Sequence, residues 1–252
     1  MSAESLSGDP GARVQTRGRP FEVFGELSPT APPPLRGRRS DWVYQELSDA
    51  IRSLRLPPGA ALSEPAVAAW LQVSRAPARE AITRLADQGL VTVVPQVGTQ
   101  VAPISMRAVR DAVFIRKALE TSAFQDAVST KELDTRELRT IVERNRKAAL
   151  DNDLEAFIET DDRLHQLVFA LAGVPEVWGL VHGAKLQLDR LRYLNLAVAI
   201  DNPEVVSEHQ RIVDALDDRD EAAGVAVIHQ HSYRILGDTE ELRKEHESYF
   251  TA

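Results

Sequence analysis

The apolar positions of this 252-residue chain fall into two regimes. Between residues 40 and 102, short helical stripes give way to alternation. Beyond residue 103 every sustained period is helical. Val43, Leu47, Ala50, Ile51 and Leu54 recur at three- and four-residue steps and predict a helix from Ser40 to about Leu54, stopped by Pro57-Pro58-Gly59. Ser63 is the expected N-cap of a second helix to about Leu71. A third helix is expected from about Arg75 to Gln88, with Ser74 as N-cap, Pro77 in its first turn, a buried stripe of Ala81, Ile82 and Leu85, and Gly89 as its stop. Leu90–Val94 and Thr99–Ala102 are β-prone, and Pro95-Gln96-Val97-Gly98 joins them as a hairpin. Three helices followed by a hairpin make a winged helix-turn-helix over residues 38–103.

After Pro103, Ser105 opens a long helix to about Val128, and Asp134-Thr-Arg-Glu137 reads as a capping box. A third bundle helix begins near Asn152 or Asp153 and runs to Ala172, broken by Gly173 and Pro175. A fourth runs from Pro175 to before Asp201, and Asn202-Pro203 opens a fifth. The Asp217–Asp220 turn, with Asp218 and Glu221 spaced as another capping box, opens a last helix that passes Leu236. The expected fold is mainly α: the winged head, then an antiparallel all-helical bundle of about six helices over 104–240, with a tail at 241–252. Residues 1–37, with Pro32-Pro33-Pro34 and no sustained period, read as a disordered or weakly ordered arm. Arg13, Arg17 and Arg19 within it are either phosphate contacts or solvated charges.

Charge sharpens this division. The chain carries −8 overall, which argues against loose, charge-driven nucleic-acid binding. Residues 36–104 nevertheless hold eight arginines against six acids, while residues 105–252 hold 19 basic and 28 acidic residues. A mildly basic front and an acidic back suit a DNA-binding module attached to something else. The chain has no cysteine, so disulfides and thiol catalysis are excluded and a cytoplasmic location is expected. No apolar run is long enough to span a membrane, and no secretory leader is expected.

Two constellations carry chemistry. Arg75 and Arg79 lie four apart at the start of the third helix, so they share a face backed by an apolar stripe, as a major-groove recognition helix requires. Arg79 is the candidate base reader and Arg75 reads a base or holds phosphate, with Ser74 and Pro77 beside them. Gln96, Gly98 and Thr99 form the wing tip, where a glycine allows close backbone approach to DNA. Arg84 is a phosphate contact or a solvated charge. On the bundle, Asp161 and His165 stand one turn apart. His209 and His231 meet them at similar height if the Asp217–Asp220 turn folds the last two helices into a hairpin. One carboxylate and three imidazoles suit Zn²⁺, Mn²⁺, Ni²⁺ or Fe²⁺. Asp162 is a second candidate carboxylate, less well spaced than Asp161. Arg116 either grips a carboxylate ligand beside the metal or pairs with Glu120 at i+4.

The residues also carry a resemblance. Leu56-Pro-Pro-Gly-Ala-Ala-Leu-Ser-Glu64, Val73-Ser-Arg-Ala-Pro-Ala-Arg-Glu-Ala-Ile82, Leu85-Ala-Asp-Gln-Gly-Leu-Val91 and Pro95-Gln-Val-Gly-Thr-Gln-Val101 resemble, in turn, the turn, recognition helix, its continuation and the wing of GntR-family repressors. Arg116-Lys-Ala-Leu-Glu120, Asp161-Asp-Arg-Leu-His165 with Ala172-Gly173, Glu208-His209-Gln-Arg-Ile-Val-Asp-Ala-Leu216, and the position of His231 resemble the FCD ligand-binding domain of the FadR subfamily. Ala76, Ala78, Gln72, Pro65 and Val174 depart from the usual residues. The first four would alter operator sequence or affinity without removing Arg75 or Arg79. The resemblance implies a homodimeric transcriptional regulator, a repressor, on a palindromic double-stranded operator. It also implies a divalent metal at Asp161, His165, His209 and His231, and a small carboxylate effector. The alternatives are a metal-dependent enzyme with a DNA head, for which no motif names a catalyst, and a regulator whose metal is purely structural.

Overall fold

The computed structural model describes residues 24–251 apart from 26, 35, 36 and 238. The chain divides into two units: Met1–Leu47 with Gly59–Ala102, and Ser48–Pro58 with Pro103–Ala252.

The first unit is a winged helix-turn-helix. Helix α1 is Arg39–Arg52, whose last residues belong to the second unit. Strand β1 is Ala61–Leu62, followed by α2 (Glu64–Trp70), α3 (Arg75–Asp87), β2 (Val91–Val94) and β3 (Gly98–Val101). Val43, Leu47, Val67, Ala78, Ala81 and Leu85 are buried and hold the three helices together, with Ala78 taking the place in the stripe expected of the half-buried Ile82. Ser63 caps α2 by accepting from the Ala66 amide. Ser74 occupies the cap position of α3 but makes no side-chain cap bond, so its expected capping role is not realised. Gly89 at φ +70° gives α3 its left-handed stop. The hairpin closes at Val94–Gly98, and β1 adds a third antiparallel strand to β3. Two residues are too few to show alternation, so the sequence carries no sign of β1.

Part of the expected arm is ordered. The Phe24 ring packs 5.2 Å from that of Trp70, Trp70 donates to the Leu27 carbonyl, and the Glu46 carboxylate accepts from Thr30 and Ala31. These contacts tie Phe24, Leu27, Thr30 and Ala31, part of the stretch expected to be disordered or weakly ordered, to the helices of the winged unit. Arg13, Arg17 and Arg19 lie outside the described residues.

The second unit is helical: α4 (Met106–Ser129), α5 (Arg136–Leu150), α6 (Leu154–Leu171), α7 (Trp178–Ala184), α8 (Leu186–Leu194), α9 (Leu196–Ile200), α10 (Pro203–Asp217), α11 (Glu221–Arg234) and α12 (Thr239–Glu245). Phe124, Leu138, Leu164, Phe169, Ile212 and Leu216 anchor its main core. The fourth bundle helix, expected to be continuous from Pro175, is a 3₁₀ turn at Pro175–Val177 and then α7, α8 and α9, interrupted at Lys185 and Asn195. Both expected capping boxes fail. Asp134 accepts from the Arg136 amide while Thr135 bonds Asp217, and Asp220 rather than Asp218 caps α11. The last helix ends at Arg234, short of Leu236. The expected tail instead folds back: Leu242 and Phe250 are buried against Ile104 and Val113, and Phe250 bridges Ile104.

Candidate functional site

Three helices bring together the four residues whose spacing alone suggested a metal. Asp161 and His165 come from α6, His209 from α10 and His231 from α11. All are buried, and one ligand atom from each lies within 4.8 Å of the others. The α10–α11 hairpin makes this happen, since it sets His209 and His231 at one level with ring centroids 4.7 Å apart.

Each imidazole is held from behind. His209 Nδ1 donates to Asn145 Oδ1 at 3.1 Å, and Asn145 is itself fixed by donating to the Phe157 carbonyl and Thr160 Oγ1. His231 Nδ1 lies 3.1 Å from Glu208 Oε2, and His165 Nδ1 lies 3.2 Å from Glu120 Oε2. With the Nδ1 atoms engaged, the Nε2 lone pairs face inward, the tautomer a metal ligand needs. Burial pushes His165 below its usual range and His231 down to about 3, against the opposing pull of Glu120 and Glu208, so both stay neutral near pH 7. Burial would raise the Asp161 carboxyl, but Arg192 and His209 hold it well below the usual range, as an anion.

The inward atoms are under-used. His209 Nε2 is buried, lies 3.2 Å from Asp161 Oδ1 and has no aligned hydrogen-bond partner. Arg116 Nη2 sits 2.6 Å from His165 Nε2 and 3.3 Å from His231 Nε2, while its Nε donates to Glu120 at 2.7 Å. A guanidinium nitrogen therefore already bonds two of the three imidazoles. An anionic carboxylate, an orphaned imidazole nitrogen and a cation drawn between the other two fit a divalent metal with an Asp-His₃ donor set. Asp162 points elsewhere, to Lys185 and Arg192.

A cavity of about 80 Å³ adjoins the cluster, with Arg116, Asp161, Arg192 and His231 on its polar side and Phe157 and Val205 on its apolar side. Arg116 pairs with Glu120, as the i+4 spacing predicts, and it also lines the cavity. Asn145 and Arg192 are site residues that spacing does not indicate, and Glu120 and Glu208, which stand behind His165 and His231, are not marked by it as partners of the imidazoles.

On the winged unit, Ser74, Arg75 and Arg79 are exposed at the start of α3 and Pro77 is half-buried. Arg79 pairs with Glu64 at 2.8 Å. Arg84 pairs with Asp41 at 2.7 Å and lies 4.0 Å over the Tyr44 ring, with its side chain still partly exposed. Gln96 and Gly98 are exposed and Thr99 is half-buried at the hairpin tip, where both Gln96 (φ +63°) and Gly98 (φ +112°) take left-handed backbone.

Residues 39–101 match the family described as "Bacterial regulatory proteins, gntR family", and residues 111–234 match the FCD domain. The chain is 38% identical over 212 residues to an HTH-type transcriptional regulator in an unstable DNA locus of Streptomyces ambofaciens, covering 82% of this chain and 87% of that one. It is 32% identical over 230 residues to the HTH-type transcriptional repressor RspR of Escherichia coli K12, covering 91% and 98%. Among solved structures, E. coli McbR/YncC superposes with a TM-score of 0.68 at 20% identity, over 84% of this chain and 100% of that one, a likeness of fold. Among the described residues no helix is long and apolar enough to cross a membrane. The chain belongs to the gntR family of DNA-binding transcriptional regulators, with a winged helix-turn-helix followed by an FCD domain.

Proposed function

We infer that this regulator is a repressor whose hold on its operator is set by a small carboxylate bound beside a divalent metal in the helical unit. Convergence carries this reading. Asp161, His165, His209 and His231 present one anionic and three neutral donors, the imidazoles anchored at Nδ1, on the edge of a cavity that Arg116 also faces. The metal would supply Lewis acidity and positive charge for a carboxylate, with Arg116 as a second grip. Zn²⁺, Mn²⁺, Ni²⁺ and Fe²⁺ all suit this donor set.

On the DNA side, Arg79 reads a base edge, and Arg75, Ser74, Pro77, Gln96, Gly98 and Thr99 complete the contact surface. The Glu64–Arg79 pair is exposed and exchanges for DNA at low cost. One such head offers little interface, so a homodimer on a palindromic operator in the cytoplasm is the working assembly. The effector acts only through its difference in affinity between operator-competent and operator-released dimers. Named repressors among the relatives support the sign of the regulation.

Metal analysis of purified protein, thermal melting with and without chelator, and operator binding with added organic acids test the whole. A chelator-sensitive melt together with acid-sensitive DNA binding is expected. Acid-insensitive DNA binding with a chelator-sensitive melt would leave only a structural metal. Sustained turnover of an acid would make the chain an enzyme.

A further inference from the structure

The ion pairs around the cluster are matched, cation for carboxylate. Arg116 pairs with Glu120, Arg192 with Asp161, and Arg234 with Glu208, while Lys185 and Arg52 stand against Asp162 and Asp189. In these pairs five cations meet five carboxylates, while Arg190, also buried on α8, bonds the neutral Gln187. A divalent metal adds two positive charges to these matched pairs. Uncompensated charge in a buried site is costly, so the complete site calls for a dianion.

Arginine donors are available for one. The Nε2 atoms that would hold the metal are those that Arg116 Nη2 now bonds, and the carboxylate that would hold it is the one Arg192 Nη2 now bonds. Metal capture at Asp161, His165 and His231 therefore frees the Nη2 of two guanidiniums, while Arg116 Nε stays with Glu120 and Arg192 Nη1 with Asp162 and Asp189, and both residues line the same cavity of about 80 Å³. Asn195, Asn202 and Ser232 add polar groups to its wall, and Phe157 and Val205 give it an apolar side.

Resting on the metal-centre reading above, we propose that the effector is a short dicarboxylate. One carboxylate meets the metal and Arg116, the other meets Arg192, and the connecting methylenes lie against Phe157 and Val205. Arg192 is then the residue that selects a second carboxylate. A monocarboxylate leaves one positive charge of the loaded site unmatched.

The test uses the full chain loaded with Zn²⁺, titrated calorimetrically with succinate and glutarate and, in parallel, with butyrate and pentanoate. A charged hydrogen-bonded contact of this kind corresponds to about 10- to 100-fold in affinity, so the diacids are expected to bind tighter by about that factor. Arg192→Gln is expected to abolish the preference while Zn²⁺ stoichiometry and helical content stay as in wild type. If that variant does not fold, the wild-type comparison decides alone. Equal affinity for the two acid classes overturns the proposal and leaves the metal-centre reading standing. Zn²⁺ uptake with neither class bound also overturns it. Absence of Zn²⁺ uptake takes down both readings.

Discussion

Gly224 is a sharp test of how α4 and α11 frame the site. A methyl within a helix ordinarily stabilises by up to about 1 kcal/mol relative to glycine, and Gly224 lies in the first turn of α11. Here a Cβ would land inside the Phe124 ring, on Cζ and Cε1, with Cε2 at 2.8 Å, where packed carbons keep about 3.5–4.0 Å. Phe124 is fully buried within the main core, so its ring has no solvent side to swing toward. Overpacking of this kind costs about 1–3 kcal/mol, and displacing a whole ring belongs at the upper end. After the helix-propensity gain, Gly224→Ala should cost about 2 kcal/mol, a fall of roughly 4–8 °C in the melting temperature of the helical unit. The damage should reach the metal site as well. His231 lies seven residues, two turns, beyond Gly224 on α11, and Arg116 and Glu120 lie two turns and one turn before Phe124 on α4. Circular dichroism melts of wild type, Gly224→Ala, Phe124→Leu and the double variant measure the coupling, with a Zn²⁺ titration of each. The double variant should be less destabilised than the sum of the singles and should recover metal affinity relative to Gly224→Ala. A higher melting temperature in Gly224→Ala, or additive single effects, would refute the packing argument.

Three further outcomes are expected. Asn145→Ala removes the partner of His209 Nδ1, so Zn²⁺ affinity should fall about 10- to 100-fold while helical content persists, measured by competition with a chromogenic chelator. Arg79→Ala should abolish sequence-specific operator binding in an anisotropy titration and leave Zn²⁺ stoichiometry unchanged; unaltered operator affinity would remove Arg79 from the base-reading role. The two serines ahead of α2 and α3 should separate stability from recognition. Ser63→Ala loses a formed cap and should cost about 1 kcal/mol in urea melts, whereas Ser74→Ala, with no cap bond to lose, should leave stability nearly unchanged and weaken operator binding.

The architecture was legible because its signals are local. Ser105, Asp153 and Asn202 each cap the helix they were expected to open, and the stripe Val43, Leu47, Ala50, Ile51 fixed the buried face of α1. The four candidate metal residues were legible as spacing, one turn on α6 and a hairpin between α10 and α11. What spacing could not supply was the ring of groups behind them, although its trace is in the sequence. Asn145 falls on the buried stripe Leu138, Ile141, Val142, Ala148 of α5, and Glu208 sits between Val205 and Ile212 on that of α10. A polar residue on an apolar stripe needs a partner, and each of these two meets an imidazole. The breaks at Lys185 and Asn195 were illegible for a different reason. Neither residue is a strong breaker, and the buried Lys185–Asp189 and Lys185–Asp162 pairs that accompany the first break are tertiary. Capping boxes were over-read: Thr135 gives its hydroxyl to Asp217, a partner 82 residues away that no local motif anticipates.

The buried charges themselves argue for a working site. Replacing a buried ion-pair set with apolar side chains of similar volume is often neutral or stabilising by about 1–4 kcal/mol, so stability alone is a weak reason to keep so many ion pairs within a helical bundle. Arg116 shows what such a set can do. Its Nη2 bonds His165 and His231 at the edge of the cavity while its Nε stays with Glu120, which gives the imidazoles a cationic partner within the chain itself. A guanidinium tethered at Glu120 can yield two imidazoles to a metal and keep its own charge at the same spot, now directed at a ligand. Metal and carboxylate would then bind with positive coupling, each tightening the other by the same factor, because the donors that Arg116 withdraws from the imidazoles are the donors the carboxylate receives.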